Sequence, residues 1–239
     1  MPLTRKPHDS WASVYDTAYS RSFGSFYEWL TTTTLDAVGR YAKPSARVVD
    51  FGAGTGRLAV PLSQLGYQVT AVEPSQAMLE QLRLKDTNNH IEAVCEALEA
   101  YDGHERFDLA LCVFTVIAYL LDDETLERAL QSAFLSIKPG GALLLDVPSR
   151  AIFHGYSASD DSIERNVALE LLEQGLYRYT EELHVDGQDY TDQFLIRFWP
   201  LDTVLDVALR VGFVLEEDLS DEFGQSGAHY ILLRKPGLD

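Results

Sequence analysis

The stretch Asp50-Phe51-Gly52-Ala53-Gly54-Thr55-Gly56 constrains this chain more than any other. It follows the apolar run Ala46-Arg47-Val48-Val49 and opens a helical pattern from Arg57 to about Leu65, which ends at Gly66. Glycines between a strand and a helix let backbone approach a ligand closely, and the first turn of the helix offers unpaired N–H groups to an anion. Glycine-rich turns also occur in ordinary strand-to-helix connections, so the weight of this one depends on what surrounds it.

The surroundings repeat the pattern. Val69-Thr70-Ala71-Val72-Glu73 reads as a second strand, and Pro74-Ser75 opens a helix with Ala77, Met78 and Leu82 on one side. Asn88-Asn89 turns into a short strand, Ile91 to Val94. Phe107 to Val113 is nearly all apolar, as strands buried on both faces of a parallel sheet are. Asp122-Asp123 begins a helix whose Leu126, Ala129, Leu130, Ala133, Phe134 and Ile137 form one stripe; it is expected to stop at Lys138-Pro139-Gly140-Gly141, before a strand from Ala142 to Val147. Upstream, Phe26, Leu30, Leu35, Val38 and Tyr41 have near-helical spacing over residues 23–42, with Pro44 as a stop and the threonines 31–34 as a place for a break.

After Pro148 the rhythm changes. Residues 149–165 read as a polar loop, and Leu176 to Val185 with Tyr190 to Trp199 read as two strands joined through Asp186-Gly187, a hairpin signal. Leu201 to Val211 restores a helix, and Val214 to Leu219 and His229 to Leu233 complete a count of seven strands outside the ribbon. Strands alternating with helices predict an α/β fold: a doubly wound, Rossmann-like, mostly parallel seven-stranded sheet in a three-layer sandwich, with an antiparallel β insertion before the last helix.

Charge and cysteine content narrow the partners. The 239 residues carry 37 acidic and 19 basic side chains, a net charge of −18. Such a surface repels a phosphate backbone, which argues against nucleic acid and anionic membranes. Cys95 and Cys112 are too few for a disulfide framework and lack the spacing of a zinc site, so a cytoplasmic setting and no metal are expected. No apolar stretch follows the N-terminal MPLTRKPHDSW, so no signal peptide is read there. No window approaches the ~20 apolar residues of a membrane span.

Three features sharpen the glycine turn. Glu73, at the end of the next strand, is placed where an acid accepts both hydroxyls of a ribose. The spacing is GxGxG, with Arg57 where a dinucleotide-binding turn has its third glycine. Some 45 residues with helical character precede the turn, whereas dinucleotide domains usually begin at that strand. A nucleoside with a small charged tail fits this pattern better than a pyrophosphate does.

In four segments the chain resembles a class I S-adenosylmethionine-dependent methyltransferase: Asp50 to Gly56, Val69 to Ser75, Phe107 to Phe114, and Leu135 to Val147 with its Lys-Pro-Gly-Gly. The motifs fall in family order over residues 46–147. The flanks resemble the small-molecule, N-methyltransferase-like branch, in which an N-terminal Tyr-Asp helix, here Tyr15-Asp16, caps the cofactor. The resemblance implies one domain over residues 1–239: a helical cap (1–45), a cofactor-binding core (46–147), the insertion (148–200) and a closing helix with two strands (201–239). It implies S-adenosyl-L-methionine as cofactor, with Gly52, Gly54 and Gly56 along its methionine tail and Asp50 at the ammonium. Glu73 would take the ribose, Met78 would pack near the adenine, Glu96-Ala97 would read the adenine edge, and Phe114 would line the channel to the acceptor.

Methyl transfer from a sulfonium is an in-line displacement on an activated carbon, so alignment and desolvation supply much of the rate. A base is needed only where the acceptor must lose a proton. The resemblance places Tyr15 and Tyr119 near the cofactor mouth as candidate catalytic groups. His154 and His184 suit proton transfer in kind but fall in a presumed loop and in the hairpin. The stretch after the fourth strand, Phe114-Thr115-Val116-Ile117, lacks the Asn/Asp-Pro-Pro-Tyr/Phe of nucleic-acid amino-methyltransferases, which favours a small-molecule acceptor, at nitrogen or oxygen. Tyr177, Tyr179, Tyr190, Phe194, Phe198 and Trp199 are available for packing, for walling an acceptor pocket or for a homodimer face. An NAD(P)-dependent oxidoreductase and a non-catalytic S-adenosylmethionine-binding protein stand as alternatives.

Overall fold

The structure, a computed structural model, describes residues 6–237. The outermost ends of the expected cap and closing segment, residues 1–5 and 238–239, lie outside the described residues. Seven strands form the central sheet: β1 (Arg47–Phe51), β2 (Gln68–Val72), β3 (Glu92–Val94), β4 (Phe107–Cys112), β5 (Ile137–Pro148), β10 (Val214–Asp218) and β11 (Ala228–Arg234). Their order is β10-β11-β5-β4-β1-β2-β3, and all run parallel except β11, which lies antiparallel to both neighbours. The order reverses at β1 and β4, so the ends of these strands open onto a crevice, the usual ligand site of such sheets.

The helices are α1 (Tyr15–Phe23), α2 (Ser25–Tyr41), α3 (Ala59–Gln64), α4 (Gln76–Lys85), α5 (Asp123–Ser136) and α6 (Leu201–Val211). Alternation along β1 sends Val49 and Phe51 into an apolar layer with Leu126, Leu130 and Val204 of α5 and α6, and Val48 into a second layer with Leu30, Leu62 and Leu79 of α2, α3 and α4. Sequence logic sets the helix ends. Ser75 caps α4 by accepting from the Met78 N–H at 3.0 Å, and Asp122 caps α5 by accepting from the Thr125 N–H at 2.7 Å.

Three expectations change. Helix α2 runs unbroken through threonines 31–34, where the hydroxyls of Thr31, Thr32 and Thr34 donate to carbonyls four residues back, and the interruption falls at Gly24. The segment read as a stop, Lys138-Pro139-Gly140-Gly141, continues β5, because the Gly140 N–H donates to the Lys235 carbonyl and the Lys235 N–H to that of Gly141. The polar segment 149–165 is no loop. It contributes β6 (Tyr156–Asp160) and the start of β7 (Ile163–Glu173), and with β8 (Leu176–Val185) and β9 (Gln188–Arg197) these make a four-stranded antiparallel sheet in sequential order. The expected two-stranded ribbon is its second half. One face of this sheet closes on α1 through Trp11, Ala18, Ile163, Leu183 and Val185.

Candidate functional site

At the carboxyl end of β1 the chain turns through Gly52 and Gly54, both left-handed, with φ of 72° and 54°. A Cβ on Gly52 would stand 2.4 Å from Val116 Cγ2, so this position must stay bare, whereas Gly54 faces open space. That space is a cavity of about 510 Å³, bounded by Asp50, Gly52, Gly54, Glu73, Met78 and Ala97 among others. Glu73 reaches back to the turn: one carboxylate oxygen accepts from the Gly54 N–H at 3.0 Å and the other from the Ser75 N–H at 2.9 Å. Each oxygen keeps a lone pair for a ligand.

Asp50 and Glu73 share the cavity wall with Lys6 and Arg57. Asp50 is buried, and burial pushes its carboxyl from 3.8 up to about 7, with Arg57 opposing and Glu73 adding to the rise. Burial also raises the Glu73 carboxyl, against the pull of its two N–H donors. Neither forms an ion pair among the described residues. Two under-compensated acids beside an open glycine cradle suit a ligand that brings hydroxyls and a positive charge, so the wall fits an adenosyl sulfonium amino acid.

The N-terminal segment closes the cavity from above. Asp16 accepts from Thr55 Oγ1 at 2.5 Å and pairs with Lys85 Nζ at 2.5 Å, and Asp9 accepts from Ser75 Oγ at 2.5 Å. These bonds tie α1 and the turn before it to the glycine loop and to α4. They put Tyr15 on the cavity wall, stacked on Trp11 at 5.2 Å and on Tyr19 at 4.4 Å.

A second cavity of about 530 Å³ adjoins the first and shares His8, Phe114 and Tyr119 with it. Its walls are largely aromatic, with Tyr19, Phe23, Phe153, Tyr156, Tyr179 and Tyr230 around the buried Asp146. Phe114 and Thr115 are left-handed, with φ of 72° and 66°. The Asp146 carboxylate holds them there, accepting from the Thr115 N–H at 2.9 and 3.1 Å; burial pushes this carboxyl up to about 7 against that backbone donor and the Phe114 N–H. The guanidinium of Arg57 lies 4.6 Å from the centre of the Phe114 ring.

Of the residues expected at the site, Tyr15, Asp50, Gly52, Gly54, Glu73, Met78, Ala97, Phe114 and Tyr119 line the first cavity. Gly56 and Glu96 are not on its wall: a Cβ on Gly56 would meet Leu82 of α4 at 2.9 Å, and Glu96 is exposed, with Leu98 and Glu99 at the cavity edge in its place. His154 is at the rim of the second cavity, and His184 pairs with Asp189 on the exposed hairpin. Tyr179 walls the second cavity and Phe194 the first. Trp199 is core, donating its indole N–H to the Leu120 carbonyl. His8 and Asp146 carried no sequence signal, since their hydrogen-bond partners lie 31 to 184 positions away.

Residues 48–141 match a family described as a methyltransferase domain. A ubiquinone biosynthesis O-methyltransferase of Bradyrhizobium diazoefficiens is 34% identical over 106 residues, 44% of this chain and 40% of that protein. The chain spans between 39% and 58% of the length of the curated relatives it matches. Among solved structures, an S-adenosylmethionine-dependent methyltransferase of Clostridium acetobutylicum superposes with a TM-score of 0.78 at 15% identity, over 94% of this chain and 99% of that one. An amino pentose methyltransferase of Micromonospora echinaspora with S-adenosylmethionine bound gives 0.73 at 17%, over 93% and 96%. At such identities the likeness is one of fold.

Proposed function

We propose that the chain is a class I S-adenosylmethionine-dependent methyltransferase and that it moves a methyl group to a nitrogen or oxygen of a small molecule held in the aromatic cavity. The observation that carries this reading is the pairing of two chambers across Phe114 and Tyr119, one walled by glycine backbone, the buried Asp50 and the half-buried Glu73, the other by aromatic rings.

S-adenosylmethionine is the cofactor, and it supplies a methyl carbon already activated for displacement. Glu73 would take the ribose with the lone pairs its backbone donors leave free, and Asp50 would face the ammonium. Met78 and Ala97 offer apolar surface to the adenine. Phe114, fixed by Asp146, separates the chambers and keeps water from the line of transfer. Tyr15 and Tyr119, both on the wall of the first cavity, are the polar groups we assign to that line. Both phenols are raised well above their ordinary range, chiefly by burial, so each stays a neutral hydrogen-bond donor and acceptor at neutral pH.

The aromatic walls suit a flat or partly apolar acceptor. The amino pentose methyltransferase of like fold supports a small-molecule acceptor, and so does the O-methyltransferase relative. The test is transfer of a labelled methyl group from the cofactor to a panel of small amines, phenols and carboxylates, each run with and without Tyr119→Phe. Label appearing on an acceptor of the panel supports the reading. Cofactor-product binding with no transfer across the panel favours a binding protein instead.

A further inference from the structure

His8 is the one residue shared by both chambers for which sequence gives no role. Its imidazole is buried, and its Nε2 lies 3.0 Å from Tyr119 Oη. On the other side Nδ1 faces Glu181 Oε2 at 3.7 Å, beyond hydrogen-bond length, and both atoms are buried without a partner. The other oxygen of Glu181 accepts from Arg165 Nε at 2.6 Å. The rings of Trp11, Phe194 and Tyr15 stand edge-on to the imidazole at 4.9, 5.0 and 5.5 Å and clamp it, and the His8 backbone N–H donates to Asp192 at 2.5 Å. The charged and titratable groups around it are Asp9 and Tyr15 on its own segment, Tyr119 after β4, Arg165 on β7, Glu181 on β8 and Asp192 on β9.

This arrangement has a direction. Burial, with the charge of Arg165, holds the imidazole neutral, its pKa lowered to about 3. A neutral ring has one N–H and one lone pair. The N–H belongs at Nδ1, facing the carboxylate, which leaves the lone pair of Nε2 to the Tyr119 hydroxyl. The gap to Glu181 is open while the ring is neutral. A proton arriving at Nε2 would make an imidazolium that draws the carboxylate in, exchanging two orphaned atoms for one charge-assisted hydrogen bond.

We propose that His8, acting through Tyr119, receives the proton that the acceptor gives up during methyl transfer. The acceptor's X–H proton passes to Tyr119 Oη as the hydroxyl proton of Tyr119 passes to His8 Nε2. The acceptor's lone pair forms the bond to the methyl carbon, and the pair of the broken C–S bond returns to sulfur. One positive charge disappears at sulfur and one appears on the imidazole, so the closed site changes its net charge by nothing. The proton leaves to solvent when the products do. The inference rests on the methyl-transfer reading and deepens it: the acceptor is a group that must shed a proton, such as a phenol, a hydroxyl or an ammonium.

The experiment is imidazole nitrogen NMR on the full chain labelled at histidine, between pH 5 and 8, with His8→Gln to identify the His8 signals. Calorimetric titration of S-adenosylhomocysteine is run on the same sample. The proposal expects a His8 ring that stays neutral across the window in the Nδ1–H tautomer, with its Nε2 resonance moving in Tyr119→Phe. A His8 ring bearing its proton on Nε2, or charged at pH 7, or indifferent to Tyr119→Phe, overturns it. The tautomer is read from the wild type, where His8 is identifiable by its proton contacts with the Trp11 and Phe194 rings, so poor folding of a variant leaves the test standing. Absence of S-adenosylhomocysteine binding overturns the methyl-transfer reading beneath it, whereas binding with the wrong tautomer overturns the relay alone.

Discussion

Asp50 makes a prediction that reaches from burial to binding thermodynamics. In the protein without ligand its carboxyl is pushed up to about 7, mainly by burial, so at pH 7 about half of the molecules carry a proton there. A ligand ammonium placed beside it favours the carboxylate. A drop of about two pH units on binding, equivalent to roughly 2.7 kcal/mol of coupling, would leave about 1% protonated at pH 7. Binding of S-adenosylhomocysteine should therefore release about half a proton at pH 7 and almost none at pH 8.5, where the free protein has already lost it. The assay is calorimetry at each pH in buffers of different ionisation enthalpy, since the slope of binding enthalpy against buffer enthalpy counts protons. Asp50→Asn should abolish the release and weaken binding by about tenfold or more, the cost of losing a charged hydrogen bond. Proton uptake at pH 7, or a release unchanged in Asp50→Asn, would refute the placement of the ammonium at this carboxylate.

Other consequences can be checked separately. Asp50 and Asp146 both fold with carboxyls raised to about 7, so their contribution to stability is full below about pH 4 and is lost as pH rises through 7. Denaturant midpoints without ligand should therefore fall between pH 6 and 8, and fall less in Asp146→Asn. His8 acts in the opposite sense: its pKa is lowered from 6.5 to about 3, so its contribution is full above 6.5 and lost on acidification toward 3. Arg165→Leu leaves Glu181 buried and unpaired, a loss of about 3–5 kcal/mol, seen as a melting temperature lower by roughly 10 °C. His8→Gln should lower kcat for an acceptor that sheds a proton by about 10²-fold or more, with S-adenosylhomocysteine affinity held within about threefold. A fall in affinity that matches the fall in kcat would make His8 a wall residue only.

What sequence disclosed and what it hid follow from the range of the interactions. The glycine turn, Glu73 and the caps Ser75 and Asp122 act within a few residues or on the adjacent strand, and local rules read them. Seven strands and five of the six helices were legible from the residues, because the sheet is mostly parallel and its buried strands are written as apolar runs, while α1 came only from the family resemblance. Of the aromatic chamber, only Tyr179 stood among the aromatics offered for a pocket wall. Its wall depends on β7, whose Asn166-Val167-Ala168-Leu169-Glu170 looks like no clean two-residue alternation, because one end of the strand packs on α1 and the other projects into solvent. Pairing of Leu169 with Tyr179 brings both to the chamber, a fact of register that composition cannot show. Lys138-Pro139-Gly140-Gly141 misled for the converse reason, since its backbone partner is Lys235, just past β11 and nearly a hundred residues away.

The most direct measurement is a crystal structure of the protein with S-adenosylhomocysteine. The account predicts the nucleoside in the chamber of about 510 Å³, with its ribose on Glu73, its ammonium at Asp50 and its sulfur turned toward Phe114, Tyr119 and the aromatic chamber beyond. A ligand seated elsewhere, or in that chamber with its sulfur turned away from Phe114, would contradict it.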